Sequence, residues 1–181
     1  CYCADVYPNS RNTVVELDAK LAEYVRDWFD IPKSPRVKIR VGDAGTVTRS
    51  FAPASRDVVI RDVFAVDKTP AELTSVDFVR EVDHSLAPGG LYILNCGDGP
   101  SLDGARAEVA ALFEVFEQVC LVADAAMLKG RRRGNIIIAA SHSPLPAAGS
   151  AEAAAISRTL MGGGVPAQYR DSAQARQFAR L

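Results

Sequence analysis

The sequence predicts an α/β domain with a mainly parallel sheet and an antiparallel strand toward its C-terminal end. Three observations carry this expectation. Short β-branched runs alternate with segments of helical period, as in successive strand–crossover–strand units. The last two strand-like runs, 119–122 and 135–140, follow one another with no helical segment between them, which suggests a hairpin and an antiparallel edge strand on an otherwise parallel sheet. Finally, 181 residues with 48% hydrophobic and 24% charged residues match a globular domain with one core.

Each element has a local reason. Thr13 to Leu17 (TVVEL) is a short β-branched run, the mark of a buried strand. Leu21, Ala22, Val25, Trp28 and Phe29 recur at helical spacing after it. Asp18 stands where a helix N-cap belongs, and Pro32 and Pro35 close the helix. Val37 to Val41 alternates apolar and basic residues as a strand, and Gly42 to Gly45 reads as the turn at its end. Asp57 to Ile60 is a third strand. Val76, Val79, Val82 and Leu86 give one helical face, ended by Pro88, Gly89 and Gly90. Leu91 to Leu94 is a fourth strand and Leu102 to Phe116 a long helix. After Ser141 the composition turns to Ala, Gly, Ser and Pro, which predicts a weak helix over 151–160 and another over 173–181. The expected organisation is a nucleoside-binding domain over 1–141 and an extension over 142–181.

Composition excludes several classes of function. With 21 basic and 22 acidic residues the net charge is −1, so no global field recruits nucleic acid or an acidic membrane. The longest apolar runs, such as 136–140, are too short to span a bilayer. A cytoplasmic location is expected. The four cysteines form no disulfide framework, and Cys96 and Cys120, in strand-like runs, read as buried thiols.

In an open α/β sheet, ligands bind beyond the carboxyl ends of the strands. The first strand ends in Glu16, the second in Gly42, Asp43 and Ala44, and the third in Asp62. A carboxylate after the first strand suits a ribose diol. One after the second suits an adenine amino group, with Gly42 and Ala44 leaving room for a flat ring. Asp62 would lie toward the reacting end. Turn-making and capping explain each residue singly, but the three carboxylates together favour a cationic nucleoside ligand.

The stretches TVVELDAKLAEYV, RVGDA, DVVIRDVFA and LTSVDFVREVDHSLAPGGLYILN together resemble the spermidine synthase-like branch of the class I S-adenosylmethionine-dependent transferases, from Arg11 to Ser141. The resemblance implies a Rossmann-like class I methyltransferase fold. It implies that Glu16 holds the ribose, that Asp43 reads the adenine, and that Asp62 contacts the aminopropyl end or the amine. The implied reaction is aminopropyl transfer from decarboxylated S-adenosylmethionine to a small-molecule amine such as putrescine, by a homodimer, with no metal.

Departures from the family pattern fall on two sides. The Gly-rich loop expected before the first helix is absent, and residues 1–7 read as the end of that helix, so the domain is expected to be incomplete at its N-terminal side. In the family's D-x-x-D pattern the second position is Ala65, with Asp67 two residues on, and the segment ADAAMLKGRRRGN lacks the family's tyrosine. A methyltransferase using S-adenosylmethionine, and a non-catalytic domain retained for dimerisation or ligand sensing, are the alternatives.

Overall fold

The computed structural model describes residues 2–66 and 68–181, so Cys1 and Asp67 lie outside the described residues. Its contacts divide into two compact units, Cys1–Phe51 and Ala52–Leu181.

The first unit opens with helix α1 (Tyr2–Val6), followed by β1 (Asn12–Glu16), α2 (Ala19–Trp28), β2 (Val37–Val41) and α3 (Ala44–Arg49). Strands β1 and β2 pair in parallel from Asn12 with Val37 to Glu16 with Val41. Asp18 caps α2 as expected, its Oδ1 accepting from the amides of Lys20 (2.8 Å) and Leu21 (3.2 Å). The apolar residues of α2 behave differently from their spacing. Only Ala22 is buried, while Trp28 is exposed and stacks on Tyr24, one turn earlier, with ring centroids 5.0 Å apart. The expected turn at Gly42 to Gly45 is instead the start of α3. Asp43 begins this helix as its N-cap, so the Asp and Gly residues read as turn signals serve here as a helix start.

The second unit contains a five-stranded sheet in the order β3-β4-β6-β5-β7. Its strands are β3 (Arg56–Arg61), β4 (Leu86–Asp98), β5 (Gln118–Ala123), β6 (Gly134–Ser141) and β7 (Gln168–Arg170). β3 and β4 are parallel, and β6 is antiparallel to both β4 and β5, so β3, β4 and β5 share one direction. The antiparallel strand expected at the sheet edge is β6, but it lies inside the sheet, because both of its edges find partners in β4 and β5. β7, between the two expected C-terminal helices, forms an antiparallel edge on β5.

β4 begins earlier than its apolar run suggests. Arg56 pairs with Leu86 and Val58 with Leu91, so residues 87–90 bulge out against Asp57. Gly89 sits in the bulge with φ +79°, a conformation that favours glycine. A short helix, α6 (Ala125–Leu128), interrupts the expected hairpin between β5 and β6 and is capped by Asp124. The other helices are α4 (Val76–Ser85), α5 (Asp103–Phe113), α7 (Ala151–Met161) and α8 (Ser172–Ala179), with a 3-10 turn at Ala71–Leu73.

The core of this unit lies between the sheet and α5, where Leu94, Val109, Leu112, Leu121, Ile136 and Ile138 are fully buried. Cys96 and Cys120 are buried as expected, and burial raises both thiols above their ordinary range. His142 packs against this core just past the end of β6. Its Nε2 lies 2.9 Å from Asp83 and its ring packs on Phe116.

The C-terminal segment joins this unit through β7 on β5 and through bonds such as Val119 N–H to Ser172 Oγ, and Asp171 braces the segment itself. Asp171 makes a capping box with Gln174 at the start of α8, and its second oxygen accepts from the amide of Ala148 at 2.8 Å. Asp171→Ala removes the cap and the tie to the 142–150 segment together. The expected result is a loss of about 1–2 kcal/mol, read as a fall of several degrees in a thermal melt. These amide bonds also hold the Asp171 carboxyl below its usual range. The stabilisation is therefore complete above the ordinary aspartate pKa and is lost as pH falls through the depressed one.

Candidate functional site

In the first unit, the predicted binding residues stand side by side at the carboxyl ends of two paired strands. Glu16 is the last residue of β1 and lies opposite Val41, and the Gly42 amide donates to the Glu16 carbonyl at 2.9 Å. The Glu16 side chain is oriented by its own backbone, since Oε1 accepts from the Asp18 amide at 2.9 Å. Asp43 and Ala44 follow as the cap and first residue of α3.

Asp43 has a local task besides any ligand. Its Oδ1 accepts from the Thr46 amide at 2.7 Å, and the bonds to Thr46, with Arg49 nearby, hold the carboxyl below its ordinary range. The group is therefore anionic at neutral pH and fixed in direction at the strand end. Gly42 also has an internal reason. A Cβ there would meet Val47 Cγ2 at 3.2 Å, so the glycine makes room for α3 to fold back over β2.

In the second unit, Asp62 follows the last residue of β3. It is exposed, and Asn95 Nδ2 donates to its Oδ1 at 3.1 Å. The segment after it turns back on itself. Ala65 donates to Lys68 at 2.8 Å, forming a small bridge around positions the family pattern would give to acidic residues. Asp67 is outside the described residues.

Beside this segment lies a cleft of about 550 Å³, within the range of small-molecule sites. It runs between the end of β4 and the start of α5 and includes Lys68, Thr74, Cys96, Asp98 and Glu108. Asp98 builds one wall, accepting from the Gly99 amide at 2.7 Å and the Ala105 amide at 2.8 Å. The second of these bonds anchors the first turn of α5.

Sequence reasoning missed the residue beneath the Asp62 segment. Arg61 is 3% exposed in its side chain, and its guanidinium forms a buried ion pair with Glu108 of α5. It also donates to the Leu73 carbonyl at 2.8 Å. Burial pushes the Glu108 carboxyl upward and the Arg61 guanidinium pulls it back, with burial the larger effect. A charged residue closing an otherwise apolar run (DVVIR) was the available signal.

No family model matches the chain. Among solved structures, a probable spermidine synthase from Corynebacterium glutamicum is 60% identical, with a TM-score of 0.95, over 98% of this chain and 64% of that one. The chain is similar to the spermidine synthase-like branch of the class I S-adenosylmethionine-dependent transferases.

Human methyltransferase-like protein 13, solved with SAH, shares this fold at 21% identity and a TM-score of 0.64, over 99% of this chain and 76% of that one. Among curated relatives, the mouse eEF1A lysine and N-terminal methyltransferase is 31% identical over 123 residues, 62% of this chain and 18% of that protein. A probable polyamine aminopropyl transferase from Bifidobacterium longum is 27% identical over 115 residues, 59% of this chain and 24% of that protein. The chain thus spans about a fifth to a quarter of these curated relatives. The Rossmann-like α/β architecture of the spermidine synthase-like branch accounts for the shared direction of β3, β4 and β5 and for the inserted antiparallel β6. Among the described residues no cluster of His, Cys, Asp and Glu is arranged to hold a metal ion. No described helix is long and apolar enough to cross a membrane.

Proposed function

We propose that this chain is the nucleoside-binding part of a spermidine synthase-like transferase, moving an aminopropyl group from decarboxylated S-adenosylmethionine to a small amine. The observation that carries this is the 60% identity with the probable spermidine synthase across 98% of the chain. Carboxylates at the ends of β1, β2 and β3 support it. Glu16 would hold the ribose and Asp43 the adenine amino group, with Gly42 and Ala44 beside the ring. Asp62 would hold the amine. The resemblance extends the proposal to a cytoplasmic homodimer, with putrescine as the reference acceptor.

The chemistry asks little of the protein beyond placement. The amine lone pair attacks the carbon next to the sulfonium, and the carbon–sulfur bond breaks with its electrons going to sulfur. The products are methylthioadenosine and a secondary ammonium, which gives up its proton. An amine in water is mostly protonated and cannot attack. Asp62 would orient it and accept the proton as the new bond forms, a contribution of about 10²–10⁴ in rate. Alignment of the two reactants supplies much of the rest.

Methyl transfer from S-adenosylmethionine is the second reading, supported by the 31% identity with the mouse methyltransferase. Calorimetry on the full-length protein with S-adenosylmethionine, its decarboxylated form and methylthioadenosine separates the two. Preference for the decarboxylated form is expected. Preference for the carboxylated form would favour methyl transfer, and binding of none would end both readings.

The adenine assignment has its own test, shaped by the capping role of Asp43. Serine caps a helix nearly as well as aspartate but carries no charge. Asp43→Ser should therefore leave folding intact and weaken all three nucleosides about 10-fold to 100-fold, the range for a hydrogen bond to a charged group. Unchanged affinity in titration calorimetry would remove Asp43 from the adenine pocket.

A further inference from the structure

We infer that Arg61 and Glu108 form a positioning device that pins both ends of the segment carrying Asp62, and that this buried pair serves placement of the acceptor side of the site. The kinetic half of this inference rests on the transfer reaction proposed above. The structural half does not.

The geometry is specific. Arg61 is the last residue of β3, so its backbone begins the excursion that carries Asp62, Ala65 and Lys68. The same residue's guanidinium donates to the carbonyl of Leu73, where the excursion ends in the 3-10 turn at Ala71–Leu73. One side chain thus closes the neck of the loop formed by residues 62–72. Glu108 fixes that guanidinium from α5, whose first turn is tied to the end of β4 through Asp98. The loop is thereby referenced to β4, the strand whose Asn95 holds the Asp62 carboxylate. Lys68, within the excursion, and Thr74, just after it, line the cleft together with Glu108.

Stability alone does not account for the pair. Removing two charges from water costs more than their attraction usually returns, and apolar residues of similar volume often serve as well or better. What an apolar pair cannot do is hold the Leu73 carbonyl. A planar guanidinium can bond a carboxylate and a carbonyl at once, while a lysine ammonium offers a single point of charge. The arrangement therefore suits fixing three chain segments in register, with small displacements at the reacting groups being costly to rate.

The test uses the full-length protein and two variants. Arg61→Met combined with Glu108→Met leaves no buried charge and should fold, losing much less stability than Arg61→Leu alone because only the donor to the Leu73 carbonyl is missing. Arg61→Lys keeps a charge beside Glu108 and covers the case in which the double variant fails to fold. Hydrogen exchange should show faster exchange of residues 62–73 in both, with the amides of β4 and α5 unaffected. Methylthioadenosine affinity should stay within twofold of the wild type, while kcat falls at least tenfold and shows a larger change than the KM for the nucleoside. Unchanged exchange over 62–73 in either folded variant would overturn the inference whatever the reaction proves to be. Faster exchange with undiminished turnover would overturn its kinetic half. A wild-type protein that binds nucleoside but transfers no aminopropyl group would instead overturn the proposed function, leaving the exchange result to decide the structural half.

Discussion

Asp62→Asn is expected to lower kcat for aminopropyl transfer by about 10²–10⁴, the contribution of a positioned proton acceptor. Asparagine keeps the size of the side chain and an oxygen for the Asn95 amide, whose bond to Asp62 Oδ1 is 3.1 Å long. It cannot accept the proton of the attacking amine or favour its approach as a cation. Methylthioadenosine, which lacks the transferred group and the acceptor, should bind the variant as it binds the wild type. Steady-state rates beside a calorimetric titration check both halves. A variant with normal turnover would take Asp62 out of the reaction. One that loses methylthioadenosine as well would place the residue in the nucleoside pocket. Because Asp62 is exposed and ends its strand, its replacement should move the melting temperature little.

Arg61→Leu alone is expected to be among the most destabilising single changes in the second unit, at about 3–5 kcal/mol. The leucine fills part of the space but leaves Glu108, with a side chain 9% exposed, as an uncompensated buried carboxylate. It also leaves the Leu73 carbonyl without its donor. The effect should depend on pH in a definite direction. Burial already raises the Glu108 carboxyl above its ordinary value. The folded state therefore holds its proton more tightly than the unfolded chain, and stability falls as pH rises from the ordinary glutamate value through the raised one. Without the guanidinium this rise is larger, so the difference between variant and wild type should narrow as pH is lowered. Thermal melts of both proteins across the acid range measure it. A constant difference would mean that Glu108 stays ionised without its partner. Glu108→Gln provides the matching control, since it should flatten this pH dependence while keeping an acceptor for Arg61.

Much of this fold was legible because its strands announce themselves locally. TVVEL, VKIRV, DVVI and NIIIAA are β-branched runs between clear breaks, and each is a strand in the structure. The direction of β6 followed from the absence of a long helix before it. Three features were hidden because tertiary context decides them. Gly42 to Gly45 carries the same residues whether it turns or starts a helix, and the packing of Val47 selects α3. β7 is three residues long and exists only because β5 offers an open edge. The bulge at 87–90 lets β4 resume pairing after the Pro88-Gly89-Gly90 stop, a register effect that no local pattern encodes.

The candidate site divides in the same way. The strand-end positions of Glu16, Asp43 and Asp62 were legible because position at a strand end is a property of the sequence pattern. The anchoring of Asp62 was not, since Arg61 and Glu108 are 47 residues apart and meet only when α5 packs on the sheet. Asp98 stands in a Gly-Asp-Gly-Pro stretch that reads as a turn, yet its second oxygen reaches Ala105 and so joins β4 to α5, which spacing alone does not reveal.

The place of β6 has a consequence for how the chain comes to be folded. β4 and β5 are neighbours in time but not in space, because the strand that separates them is made after both. As the chain emerges from a ribosome, β4 and β5 each present an open hydrogen-bonding edge until residues 134–141 arrive to fill the gap. Two apolar strands with the same direction and a vacancy between them are an invitation to pair wrongly with each other or with another nascent chain. The centre of this sheet is therefore completed late, by insertion of β6, with β7 added at the edge afterwards, and the interval before insertion is when the sheet is most exposed to aggregation.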